Sequence, residues 1–316
     1  MSRYITFFLV LLLFLMGLAI TITFHWGYLP TAIFGILLLI GIADMVSNHN
    51  ILRLYPISGH LRYLFEFVRP EIQQYFVATN LSGRPYNREL RSLIYQRAKN
   101  VIDTHPFGTE HDVTDFGYVH AQHSLCVKET DVDSGRVSFG SSKCQQPYHA
   151  SRINISAMSY GALSSKAIQT LNRGAKIANM AHNTGEGGLS EHHLKEGGDI
   201  IWQLGTAYFG TRTKDGGFDS KTFEKKSQLP AVKMIEIKLS QGAKPSHGGV
   251  LPAPKVTAEI ARIRGIEEGK DCISPPTHST FSTPIELMQF IDQLRHLSGG
   301  KPIGFKLCIG KHEEFM

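Results

Sequence analysis

Four charged side chains stand beside or just after strand-like stretches in the second half of the sequence: Glu186, Lys244, Arg264 and Lys306. One carboxylate and three cations around a cleft suit an anionic substrate or cofactor. Arg offers a planar, two-pronged match to a carboxylate, and Lys offers a compact point charge. Glu186 sits inside Thr184-Gly-Glu-Gly-Gly188, where little side chain is present to pack around a fixed charge. By itself this stretch reads as a surface turn, a phosphate loop or a substrate clamp. On spacing alone, each of the four groups is more often a surface ion pair. No GxGxxG or GxxxxGK[ST] element follows a strand, and no GxSxG elbow is present, so Rossmann, P-loop and hydrolase readings find no support. His182, His192 and His193 lack a partner set with metal-ligand spacing, and no metal site is expected. His278, in Pro275-Pro-Thr-His-Ser279, follows a strand end and is the better active-site candidate among the histidines.

The elements that must position these groups repeat. Ile153-Asn-Ile-Ser-Ala-Met158 is strand-like and runs through Ser159-Tyr-Gly-Ala-Leu-Ser164 into a helical stretch, 165–178, with Ser164 as its N-cap. Met180 to Asn183, Val232 to Lys238, Cys272 to Ser274 and Ile303 to Cys308 read as further strands. Val256 to Ile263 and Pro284 to Leu297 read as helices. Alternating strands and helices predict an α/β fold with a parallel sheet or β/α barrel. The glycine-rich polar stretches then fall after the strands, on the face where such barrels do chemistry.

The remainder of the chain differs. Residues 1–45 hold an uncharged run from Tyr4 to Thr23 and a second apolar run from Leu29 to Ile42. They predict a hairpin of two transmembrane helices rather than a cleaved signal. Arg3 precedes the first run and Arg53 and Arg62 follow the second, which predicts both ends and the catalytic domain on the cytoplasmic side of the inner membrane. Residues 46–150 read as a helical connector and a small β extension. The connector includes a helix capped by Asn87 whose basic face (Arg88, Arg91, Arg97 and Lys99) can meet an anionic leaflet. In the extension, an Asp133-Ser-Gly turn would join strands at 125–127 and 137–139. Residues 151–316 form the main domain. Net charge is +6, but no basic run is interleaved with aromatics, so no nucleic-acid partner is expected. Four widely spaced cysteines signal neither zinc nor a disulfide framework.

Six motifs occur in one order: NISAMSYGALS, NTGEGG, KMIEIKLSQGAKPSHGGVLP, EIARIRG, ISPPTHS and GFKLCIG. Together they resemble the flavin-binding synthase domain of glutamate synthase, in particular the shorter FMN-binding members of that family. The resemblance covers about residues 84–316. It implies a (β/α)8 TIM-type barrel binding FMN, in which 2-oxoglutarate and ammonia form 2-iminoglutarate, and hydride delivery then gives L-glutamate. It further implies that Glu186, Lys244 and Arg264 contact the keto acid, with Glu186 and Lys244 catalytic. His247 lies in the same substrate loop. Met158, Ser159 and Gly161 would lie against the flavin, and Lys306 would stabilise charge on its reduced ring. Gln203 and Gln241 are further cofactor candidates.

The sequence departs from the family pattern in three respects. No glutaminase domain is read in these residues, so ammonia is expected to come from elsewhere. His247 and Val250 replace a glutamate and a glutamine of the large enzymes, which opens the alternative of a different imino or keto acid. The strand count is about five of eight, as expected of an incomplete barrel. That count excludes the iron–sulfur ligands of the large enzymes and raises the alternative of an inactive anchored fragment that needs a second polypeptide. An external electron donor is expected.

Overall fold

The computed structural model describes residues 4–101, 108–122, 124–129, 131, 135–140, 142–242 and 246–316. The chain divides into two compact units, 1–124 and 125–316.

In the first unit, α1 (Ile5–Phe24) and α2 (Tyr28–Val46) are 20 and 19 residues long. At about 1.5 Å per residue, each reaches the roughly 30 Å of a bilayer's hydrocarbon core. Small residues let them approach: Gly17 packs on Thr31, Gly35 on Phe14 and Gly41 on Phe7. Most of their other apolar side chains face outward. Asp44, buried near the end of α2, accepts hydrogen bonds from Ile57 N (2.9 Å) and from His60 Nε2 (2.9 Å). These bonds tie the following turn to the helix. After α3 (Asn50–Leu54) come α4 (Gly59–Ile72), which continues through a π-helical turn over Gln73–Val77, and α5 (Arg88–Lys99). The expected cap of α5 is present, with Asn87 Oδ1 accepting from Leu90 N at 2.9 Å.

The second unit opens with β1 (Arg136–Phe139) paired antiparallel to β2 (Tyr148–Ser151). This corrects the expected pairing of 137–139 with 125–127. Tyr148 and Ala150 alternate onto a core, whereas Leu125 and Val127 are fully exposed and have no apolar face to join. Asp133 and Ser134 of the expected turn lie outside the described residues. A four-stranded parallel sheet follows in the order β3 (Ala181–Asn183), β4 (Asp199–Leu204), β5 (Val232–Lys238) and β8 (Ile303–Lys306). Ile155 joins its edge through a parallel bridge to His182. Around the sheet run α6 (Ser165–Ile177), α7 (Glu191–Leu194), α8 (Ser220–Ser227), α9 (Ala258–Arg264) and α10 (Pro284–Leu297). This mixed α/β arrangement is consistent with part of a TIM-type fold.

One strand assignment is corrected. β7 (Cys272–Ile273) stands apart from the parallel sheet and pairs antiparallel with β6 (Val250–Leu251). β5 pairs directly with β8, and the sheet gains instead a strand that sequence reading did not include, β4 between β3 and β5, whose run Ile200-Ile-Trp202 lacks alternation because an interior parallel strand has covered neighbours on both faces. The main core lies on one side of the sheet. Ile200, Trp202, Leu204, Val232, Ile235 and Ile237 pack under Phe223 of α8 and Phe290, Ile291 and Leu294 of α10. Each large buried side chain contributes about 1.5–3 kcal/mol. The helices start where their caps dictate. Ser164 Oγ accepts from Ala167 N at α6, and Thr283 and Glu286 form a capping box at α10 with Pro284 in its first turn.

Candidate active site

Strand alternation decides what the opposite face of the sheet carries. On β5, Val232, Ile235 and Ile237 enter the core, which leaves Met234, Glu236 and Lys238 on the other side. Parallel register sets Gln203 beside Glu236 and Lys306 beside Lys238. Three layers result. Nearest the strand starts, Tyr148, Ala150 and Ala181 pack with Ile201 and Met234. Above them, Glu236 Oε2 accepts from Asn183 Nδ2 at 2.9 Å and from Gln203 Nε2. Charged groups gather at the strand ends. A cavity of about 450 Å3 runs along this face, from Ala150 and Ile201 to Glu236 and Phe305.

Glu186 reaches the charged layer from the loop after β3. Gln241 Nε2 donates to both of its oxygens at 2.7 Å, and Lys238 Nζ lies 3.4 Å from Oε2. Lys238 Nζ also donates to Gln241 Oε1 at 3.0 Å, which closes a ring of three partners. Two glycines outside the loop make room for the carboxylate arm. A Cβ on Gly205 would stand 2.7 Å from Glu186 Cβ, and one on Gly249 would stand 3.0 Å from Glu186 Oε1. The glycines flanking Glu186 do something else. A Cβ on Gly185 or Gly187 would come within 2.9 Å of Ser159, so these two residues let the Glu186 loop lie directly on the Met158–Gly161 loop.

That second loop is pinned from below. His193 Nε2 donates to Met158 O at 3.0 Å, and its Nδ1 lies 2.7 Å from Ser190 Oγ. Because a carbonyl can only accept, the ring carries its proton on Nε2 and is neutral. Burial pushes its pKa down to about 4. Burial does the same to His182, 5.3 Å away ring to ring, whose two nitrogens have no hydrogen-bond partner among the described residues. Tyr160 and His192 both bond to Glu259, with His192 Nε2 at 2.8 Å. Burial and then the bond to Glu259 raise the Tyr160 phenol to about 12; the Tyr160 bond, followed by that of His192, lowers Glu259.

The structure brings Glu186 and Gln241 together and sets Lys306, exposed at the end of β8, on the strand next to Lys238. Met158, Ser159 and Gly161 form the loop against Gly185 and Gly187. Gln203 sits one layer lower, with its amide committed to Glu236. Lys244 lies outside the described residues, and His247 is exposed. Arg264 is buried at 7% exposure, packed over Phe209 and against Gly161 and Gly187, with Nη2 donating to Tyr160 O at 3.3 Å. Among the described residues it makes no ion pair, and its Nε has no partner. His278 is corrected to a supporting role. It is buried, its Nε2 donates to Lys238 O at 2.8 Å, its Nδ1 meets Tyr208 Oη at 2.9 Å, and burial holds its pKa low.

Sequence reasoning missed Lys238, Glu236 and His193. The alternation in Val-Lys-Met-Ile-Glu-Ile-Lys238 carries the signal for the first two, since it sets Glu236 and Lys238 on one face opposite Ile235 and Ile237. His193 gives no such signal.

This arrangement can hold a carboxylate in fixed orientation among cations, beside a second, half-buried loop. Residues 112–316 match the family model described as a conserved region in glutamate synthase. A glutamate synthase large subunit-like protein of Bacillus subtilis, YerD, is 34% identical over 85% of this chain and 58% of its own length. The archaeal-type glutamate synthase [NADPH] of a Thermotoga species is 35% identical over 49% of this chain and 28% of its own length. The archaeal glutamate synthase [NADPH] of Archaeoglobus fulgidus is 37% identical over the same shares. The chain belongs to the glutamate synthase family, on the family's FMN-binding synthase domain. It spans between about a quarter and three fifths of the length of these relatives.

Proposed function

We propose that the protein is a membrane-anchored FMN oxidoreductase of glutamate synthase type. It would combine 2-oxoglutarate with ammonia to form 2-iminoglutarate and reduce this to L-glutamate, on a TIM-type barrel facing the cytoplasm. The observation that carries this reading is the ring of Glu186, Gln241 and Lys238 at the ends of the parallel strands, with Lys306 in register beside it.

The residues present suit a flavin. Gly185 and Gly187 let their loop lie directly on Ser159 of the Met158–Gly161 loop, and Lys238 and Lys306 supply positive charge on adjacent strands. Met158, Ser159, Gly161, Gln203, Gln241 and Lys306 are the residues proposed to hold FMN. When bound, FMN supplies the hydride. The chain's own residues bind, orient and move protons. Lys244 and Arg264 take the carboxylates of the keto acid, with Arg264 the better matched because among the described residues its guanidinium makes no ion pair. Glu186, oriented by Gln241 and offset by Lys238, exchanges a proton with the ammonia or imine nitrogen. The layer of Asn183, Gln203 and Glu236 underneath keeps β3, β4 and β5 in register as the site's floor. The reducing equivalents come from an external donor; two of the relatives name NADPH.

A second reading keeps the chemistry and changes the acid. Val250 is exposed, pairs with the equally exposed Ile273, and directly follows Gly249 at Glu186. That apolar pair favours a keto acid with a less polar side chain. The absorption spectrum of the purified full chain tests the proposal. About one bound flavin per chain is expected; a colourless protein that takes up no added FMN contradicts it and favours a fragment completed by a second polypeptide.

A further inference from the structure

The helix that follows the two apolar helices has an uncovered apolar face. On α4, Leu61, Leu64, Phe65, Val68 and Ile72 recur at helical spacing on one side, and Arg62, Glu66, Arg69 and Gln73 form a polar stripe next to it. Leu61, Leu64 and Phe65 are more than half exposed, and the π-helical turn adds Tyr75 at 65% and Phe76 at 85%. A helix with such a face and arginines along its border has the composition of one lying in a membrane–water interface.

Its position fixes which surface covers it. The start of α4 is tied to the end of α2, where buried Asp44 accepts from Ile57 N and His60 Nε2 at 2.9 Å, while Gly41 packs on Ile57 and Gly59 on Leu52. If α2 crosses a bilayer, α4 begins at its edge. Charge points the same way. Residues 46–100 hold eight Arg and Lys against three Glu, so five of the chain's six net positive charges lie in this stretch. A groove of about 280 Å3 between the end of this helix and α5 is lined by Gln74, Tyr75, Arg88, Arg91, Ser92 and Tyr95. Among the described residues neither Arg88 nor Arg91 makes an ion pair.

We propose that residues 59–77 lie in the plane of an anionic lipid surface. The Leu61–Phe76 face enters the headgroup–acyl boundary, and Arg62, Arg69, Arg88 and Arg91 sit on lipid phosphates. This rests on reading α1 and α2 as membrane spans. The full chain, in a Trp26→Phe background whose remaining Trp202 emission is recorded in each lipid and subtracted, is placed in nanodiscs of phosphatidylcholine with about one third phosphatidylglycerol, with or without brominated acyl chains. Three single variants are compared: Phe65→Trp on the apolar face, Gln73→Trp on the polar stripe, and Leu12→Trp on the exposed side of α1. Bromolipid is expected to quench Phe65→Trp at least about twofold more than Gln73→Trp. Omitting phosphatidylglycerol, or changing Arg62, Arg69, Arg88 and Arg91 to Gln, is expected to shrink that difference. Equal quenching at the two positions overturns the proposal, whether Phe65→Trp is open to aqueous acrylamide or shielded by protein. Failure of bromolipid to quench Leu12→Trp overturns the membrane anchor itself, which separates the two failures.

Discussion

Acid should destabilise the second unit through the His182–His193 pair. Both rings are fully buried, and burial lowers both to about 4 from an ordinary 6.5. A histidine kept neutral in the folded state binds fewer protons there than when unfolded. Stability is therefore intact above pH 6.5 and falls as the pH drops toward 4. Between pH 7 and pH 5, linkage gives a loss of about 2 kcal/mol per ring, or about 4 kcal/mol for the pair. The His182 ring has no hydrogen-bond partner among the described residues, so His182→Leu removes a buried polar ring at little cost and should leave a loss of about 2 kcal/mol. Trp202, buried and stacked on Phe223, reports unfolding in a Trp26→Phe background. Urea titrations of the full chain in detergent at the two pH values give the comparison. An equal loss in both proteins, or none, would mean that His182 is not held neutral, and would refute the reasoning.

Other changes act on the site directly. Gly205→Ala places a Cβ 2.7 Å from Glu186 Cβ and should cost about 1–3 kcal/mol in urea titrations while displacing the carboxylate. Lys238→Met removes the cation beside Glu186 and should lower turnover on the order of 100-fold with flavin retained, as absorbance will show. Arg264→Ala should raise the KM for the keto acid by about 10- to 100-fold without loss of flavin; equal loss of both would make Arg264 a clamp between the loops rather than a substrate ligand. Val250→Gln should lower the KM for 2-oxoglutarate, and no change would remove Val250 from the specificity argument.

The parts of this molecule that could be read in the sequence are those set by local rules. Caps at Asn87, Ser164 and Thr283 mark helix starts because orphan N–H groups need an acceptor. The period of two in β5 sorts Ile235 and Ile237 from Glu236 and Lys238. Glu186 is legible because a charge between glycines needs partners from elsewhere, and Gln241 only through the family resemblance. What stayed hidden depends on distant chain. β4 is covered on both faces and so shows no alternation, and β2 finds β1 only through a core shared with Ala181. Lys238 and His193 take their roles from neighbours brought together by the fold, namely Glu186 from the loop after β3 and Met158 O from the loop before α6. No spacing along the chain encodes those contacts.

The central claim is that this site reduces the imine of a keto acid. The most direct test is to reduce the purified full chain anaerobically and follow its flavin absorbance after adding 2-oxoglutarate and ammonium together. The account predicts reoxidation that requires both compounds, forms L-glutamate in equal amount and is lost in Glu186→Gln. A flavin that stays reduced with both present, or is reoxidised equally by either one alone, contradicts it.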